Sequence, residues 1–234
     1  MNGGISMADN MVTLRNVTKK YGKYNALTNI NISLERGKIY GLIGKNGAGK
    51  TTMMRIIAGL SFLSDGEAEV NAKKIGTLIE APSLNMNMTA KQNIKFYRML
   101  TGEGDDTTDE DILSMVGLED TGKRKVKDFS LGMRQRLGIA IALLGKPDFI
   151  MLDEPVNGLD PVGVVEIRKM IKKLNEDMGT TILISSHNLA ELDKTATDFI
   201  IVDKGNIKKI INQSQLDEEA AGNLEEYFLS VIGS

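Results

Sequence analysis

The sequence predicts an α/β domain: a mostly parallel sheet with a helical insertion in its middle and some antiparallel strands beside it. Three observations carry this. Short apolar strands alternate with amphipathic helices near both ends of the chain. A glycine-rich loop joins one such strand directly to a helix. Across residues 89–144 the pattern turns helical, with charged connectors and no strand.

Each element has its own signal. MVTLRNV (11–17) and NINISLERGKIYGLIG (29–44) alternate or run apolar with β-branched residues, and read as strands. KTTMMRIIAGL (50–60) reads as a helix that starts at the end of the glycine-rich loop. EAEVN (67–71) and IGTLI (75–79) read as short strands. TAKQNIKFYRML opens on a Thr89 cap, TTDEDILSMV has an acidic first turn, and a third helix begins at Ser130, a good N-cap. DFIMLD (148–153) and TTILISS (180–186) are apolar strands bounded by turn residues. Between them PVGVVEIRKMIKKLNEDM (161–178) is an amphipathic helix, capped by Asp160 with Pro161 in its first turn. DFIIVDKGNIKKII (198–211) reads as a hairpin about Lys204–Gly205, and LEEYFLSVI closes the chain as a helix.

Composition narrows the function classes. The 234 residues suffice for one large domain, with residues 1–10 as a polar, loose lead-in. A net charge of −2 gives no basic footprint for nucleic acid. With no cysteine, disulfides, zinc thiolates and thiol catalysis are excluded. No apolar run approaches the ~20 residues needed to cross a bilayer. The start lacks the pattern of a secretory signal, so a cytosolic protein is expected, with any membrane role exercised through a partner.

GKNGAGKT (44–51) matches G-x-x-x-x-G-K-[ST] in full, between a strand and a helix. Gly44, Gly47 and Gly49 let the backbone curl, so that N–H groups of the loop, including those of Asn46, Ala48 and the adjoining Thr52, can face phosphate oxygens. Lys50 is placed to neutralise the β- and γ-phosphates, and Thr51 to offer its hydroxyl to Mg²⁺. A dinucleotide-binding reading fails, because Lys-Thr stands where the third glycine belongs. At the end of FIMLDEP, Asp153 is the candidate metal carboxylate and Glu154 the group that polarises an attacking water. His187, the sole histidine, ends another apolar strand on the same expected edge, and is assigned to the γ-phosphate or the attacking water. Tyr21 is a candidate to stack on an adenine ring.

With these residues the chain resembles the ATP-binding subunit of ABC (ATP-binding cassette) transporters, over about residues 12–210. The ordered set is Tyr21, the phosphate loop, FSLGM at 129–133, the carboxylate strand, NGLD at 157–160 and His187. The resemblance implies a P-loop NTPase core at about 11–88 and 145–234, a helical insert at 89–144, and ATP with Mg²⁺ as ligands. It also implies integral membrane subunits as partners, on the cytoplasmic face of the membrane, and a head-to-tail dimer with a second copy or a homologous cassette. Ser130 and Gly132 would then meet the γ-phosphate held by the other copy, at an open helix N-terminus.

Two positions depart from the family pattern. The usual Leu-Ser-Gly-Gly-Gln is Phe129-Ser130-Leu131-Gly132-Met133 here, and the usual metal-contacting Gln before the insert is Glu80. A carboxylate there strengthens a metal contact but adds negative charge beside a triphosphate. Both departures resemble the subgroup serving peptide-antibiotic resistance and lantibiotic self-protection. The other readings are a soluble, non-transport cassette that clamps a macromolecule, and a nucleotide kinase or GTPase. The latter lacks an Asn-Lys-x-Asp guanine reader and leaves the Ser130 segment unexplained.

Overall fold

The computed structural model describes residues 10–80, 83–102 and 107–233. The expected lead-in falls outside these residues, except Asn10, which begins the first strand. Strands β1 (Asn10–Tyr21), β2 (Tyr24–Glu35) and β4 (Asp65–Val70) form an antiparallel sheet in the order β2-β1-β4. The second sheet has six strands, in the order β5 (Ile75–Leu78), β6 (Phe149–Asp153), β7 (Thr181–Ser186), β3 (Ile39–Ile43), β8 (Asp198–Asp203), β9 (Asn206–Asn212). Its first five strands are parallel, and β9 returns antiparallel through the Lys204–Gly205 turn.

The apolar stretch at 29–44 is therefore two strands of different sheets. The chain breaks at Gly37, whose φ of +73° suits a residue without Cβ, and β3 leaves β2 to pair with β7 and β8. Strands β3, β6 and β7 are buried along their whole length, as strands covered on both faces must be. Their side chains alternate between two apolar clusters. Ile43, Ile150, Leu152, Ile182 and Ile184 face one; Tyr40, Leu42, Phe149, Met151 and Leu183 face the other.

The second cluster is closed by β1, β2 and helix α1 (Lys50–Ile57). The first is closed by α5 (Pro161–Met178) and by the insert helices α2 (Ala90–Thr101), α3 (Asp109–Met115) and α4 (Leu131–Ala142). The Thr89 and Ser130 caps form as the sequence predicts; Thr89 with Gln92 makes a full capping box, worth about 1 kcal/mol. The insert shares its core with the sheet. At Gly76 on edge strand β5 a Cβ would fall 2.1 Å from the Ala142 carbonyl oxygen, so α4 lies directly on the strand. Three short helices complete the fold: α6 (Leu189–Asp193), α7 (Gln213–Ala220) and α8 (Leu224–Gly233).

Candidate functional site

Parallel pairing brings the carboxyl ends of β3, β6 and β7 to one edge, where ligands of open α/β sheets bind. The phosphate loop leaves β3 there and runs into α1. Gly49 caps α1 at φ +109°, and a Cβ on it would lie 2.7 Å from the Ala26 carbonyl, so this position admits only glycine. The Lys50 side chain is buried, and its ammonium donates to the carbonyls of Gly44 at 2.7 Å and Lys45 at 3.4 Å. Burial lowers its pKa; Glu154 and Asp153 oppose that shift. An ammonium desolvated in this way gains more from an arriving anion than an exposed one does.

Strand alternation sends Asp153 to the same side of the sheet as Phe149 and Met151, which is the α1 side. There its Oδ2 accepts a hydrogen bond from the Thr51 hydroxyl at 2.7 Å. Its Oδ1 accepts one from the Ser185 hydroxyl on neighbouring β7. Glu154 follows at φ +50°, a left-handed conformation held by its N–H, which donates to Ser185 O and Ser185 Oγ, both at 3.1 Å. This turn swings the Glu154 carboxylate off the strand direction. One oxygen lies 3.9 Å from Lys50 Nζ and the other 2.8 Å from His187 Nδ1. Lys50, Thr51, Asp153, Glu154 and His187, picked from separate stretches, thus converge.

A cleft of about 280 Å³ runs from these groups along the loop, past Asn46, Ala48 and Thr52, to Tyr21 and Tyr24. The Lys19 ammonium lies over the Tyr21 ring, 4.8 Å from its centre, and the ring stays half exposed. Thr51 and Asp153 supply hard oxygen donors. Among the described residues no group of three or more His, Asp or Glu side chains could hold a metal ion. A cation seated at Thr51 and Asp153 would complete its shell from phosphate oxygens and water, as Mg²⁺ does.

Glu80 lines a second cavity, of about 510 Å³, together with Asp153, Glu154 and Leu131. Its backbone has φ +69°, and its carboxylate pairs with Arg55 on α1. Ser130 and Gly132 stand apart from the phosphate loop. The Ser130 hydroxyl accepts from the Met133 N–H at 3.2 Å, and the first turn of α4 carries no acid to offset its positive end. A Cβ on Gly132 would meet only ordinary contacts, the nearest being Leu159 at 3.6 Å. Packing within the chain does not require glycine there.

The sequence reading misses three participants. Ser185 is a serine in an apolar strand, and its partner lies 32 residues away. Tyr24 stands in the same YGKY stretch as Tyr21 and bonds the loop carbonyl of Gly47 at 3.3 Å. Arg55 sits five residues along α1 from the phosphate lysine, where the sequence shows only a basic helix residue.

Residues 27–157 match the ABC transporter family. The chain is 43% identical over 231 residues to the lantibiotic transport ATP-binding protein SrtF of Streptococcus pyogenes, covering 95% of this chain and 97% of the relative. It is 40% identical over 217 residues to the bacitracin transport ATP-binding protein BcrA of Enterococcus faecalis, covering 88% and 70%. Among solved structures it resembles the ATP-binding cassette MJ0796, solved as a dimer in a post-hydrolysis state with ADP and Pi. That match has a TM-score of 0.76 at 28% identity, over 86% of this chain and 98% of the other.

Proposed function

The chain belongs to the ABC transporter family and is an ATP-binding, ATP-hydrolysing cassette, and we propose that it powers movement of a peptide antibiotic, of the bacitracin or lantibiotic kind, through separate membrane subunits. The substrate assignment rests on the relatives named above. Their transport roles also favour this reading over a soluble clamp. In this reading the substrate path belongs to membrane partners, on whose cytoplasmic face the cassette docks. Among the described residues no helix is long and apolar enough to cross a membrane.

The hydrolytic part is carried by one observation: the Glu154 carboxylate is shared between Lys50 and His187 at the end of the strand that also bears Asp153. In this reading the loop and Lys50 hold the β- and γ-phosphates, and Tyr21 stacks on the adenine. Glu154 accepts a proton from the attacking water, and His187 holds that carboxylate in place beside the γ-phosphate. A triphosphate beside two carboxylates and one lysine needs a further positive charge. Mg²⁺ fits at Thr51 and Asp153, with Glu80 as a third contact once released from Arg55, and supplies charge neutralisation of the phosphates when bound.

Two copies face head to tail, and the α4 end of one, Ser130 and Gly132, reaches the γ-phosphate bound by the other. Three observations support this: the exposed, acid-free helix start, a glycine that its own chain does not require, and the dimeric state of the similar solved cassette. Deleting the gene tests the function. The strain should become several-fold more sensitive to bacitracin or a lantibiotic, and the wild-type gene, but not one encoding Glu154→Gln, should restore resistance. Unchanged sensitivity to both antibiotic classes would remove the substrate assignment.

A further inference from the structure

The phosphate loop keeps its shape because its carbonyls are bonded away from the ligand. Lys50 Nζ takes Gly44 O and Lys45 O, and the Gly205 N–H donates to Ala48 O at 2.9 Å. The Gly47 carbonyl is held by a side chain from outside the motif, the hydroxyl of Tyr24, at 3.3 Å. That carbonyl shares a rigid peptide plane with the Ala48 N–H, which closes the loop's turn by donating to Lys45 O at 3.1 Å. Gly47 itself, at φ +79° and with nothing within 4 Å of where a Cβ would sit, gains from an external hold.

Tyr24 and Tyr21 face each other across the β1–β2 hairpin, and both line the nucleotide cleft. Their contacts differ. Tyr21 is held by the Lys19 ammonium, whose other bond is to the Phe62 carbonyl at 2.6 Å, and its ring is free to meet a base. Tyr24 spends its hydroxyl on the loop. We propose that Tyr24 is a positioning residue for the phosphates: by fixing the Gly47 peptide it holds the loop in its anion-accepting form and raises affinity for the polyphosphate itself, whatever base is attached. This rests on the reading of residues 44–51 as the nucleotide site.

The test measures binding of ATP and of inorganic tripolyphosphate by calorimetry, for the wild type, Tyr24→Phe, Tyr21→Ala and Lys50→Ala. Tyr24→Phe keeps the ring and removes one hydrogen bond, so it should weaken both ligands by the same factor, about three- to tenfold. Tyr21→Ala should weaken ATP and spare tripolyphosphate, and Lys50→Ala should lose both. Tyr24 is more than half exposed, so its Phe variant should melt with the wild type. A Tyr24→Phe protein that binds tripolyphosphate as the wild type does, whether or not ATP is weakened, overturns the proposal. Wild-type protein that binds neither ligand overturns the nucleotide-site reading instead.

Discussion

His187 Nδ1 lies 2.8 Å from Glu154 Oε2, linking the ends of two adjacent parallel strands. The carboxylate fixes which ring nitrogen carries a proton, and the ring in turn limits how the carboxylate can rotate. His187→Ala should therefore reduce ATP turnover by about 100-fold while changing ATP affinity little, at the low end of lost acid–base assistance. Steady-state kinetics beside equilibrium binding will show the split; an equal loss in both would reduce His187 to a packing role.

Glu154→Gln keeps the shape of the turn and removes the base. Turnover should fall about 10²- to 10⁴-fold with ATP still bound. If the nucleotide joins two copies, this variant should run as a dimer on a sizing column with ATP and Mg²⁺, and as a monomer without them. A monomer under saturating nucleotide argues against the sandwich.

Gly132 offers a separation of stability from function. It lies in the first turn of α4 with room for a methyl group. Gly132→Ala should stabilise the fold by about 0.5–1 kcal/mol through helix propensity. The same methyl would stand where the other copy's γ-phosphate approaches, and ATP-driven dimerisation should weaken. Urea denaturation and sedimentation velocity read the two effects independently. A variant that is more stable and still dimerises fully rules out a phosphate contact at this glycine.

The Arg55–Glu80 pair is exposed and worth under about 1 kcal/mol to folding. Its interest is positional, since Glu80 lines the cavity that Asp153 and Glu154 share. Arg55→Gln should free the carboxylate and lower the Mg²⁺ concentration needed for half-maximal turnover by about two- to fivefold, and Glu80→Gln should raise it. Magnesium titrations that leave both variants at the wild-type value would disprove the metal contact.

Asp148 makes a prediction about acid. Burial pushes its pKa up, but the N–H groups of Lys74 and Lys73 and the Arg36 guanidinium outweigh that and hold it below the usual carboxylate value of 3.8. A depressed folded pKa means the stabilisation is complete above pH ~4 and is lost as pH falls through the lower, folded value. Asp148→Asn should cost about 1–3 kcal/mol at pH 7. The penalty should shrink toward zero in denaturation curves taken at successively lower pH below 4.

Legibility in the sequence followed the range of the interaction. The phosphate loop and the Thr89, Ser130 and Asp160 caps are local, so spacing alone exposes them. The strand alternation that sorts side chains between two cores is local too. Ser185 is different: its role exists only because β7 lies beside β6 with Asp153 opposite it. Arg55 and Tyr24 likewise gain meaning from a helix face and a hairpin register. Helices α6 and α7 are short, at five and eight residues, and rest on Asn188 and Asn212 caps. The long apolar run at 29–44 hid a change of sheet, because both halves are equally strand-like.

Strand β3 has no early neighbour. Both strands that flank it, β7 and β8, begin more than 130 residues after it ends. During synthesis on the ribosome the phosphate loop therefore emerges before the strands that flank β3, and stays without its sheet while the whole insert is made. The hydrogen bonds that join Ser185 to Asp153 and Glu154 have to wait until Thr181–Ser186 has cleared the exit tunnel. A translational stall anywhere in the insert would leave a fragment that carries the full loop motif and yet is blind to ATP.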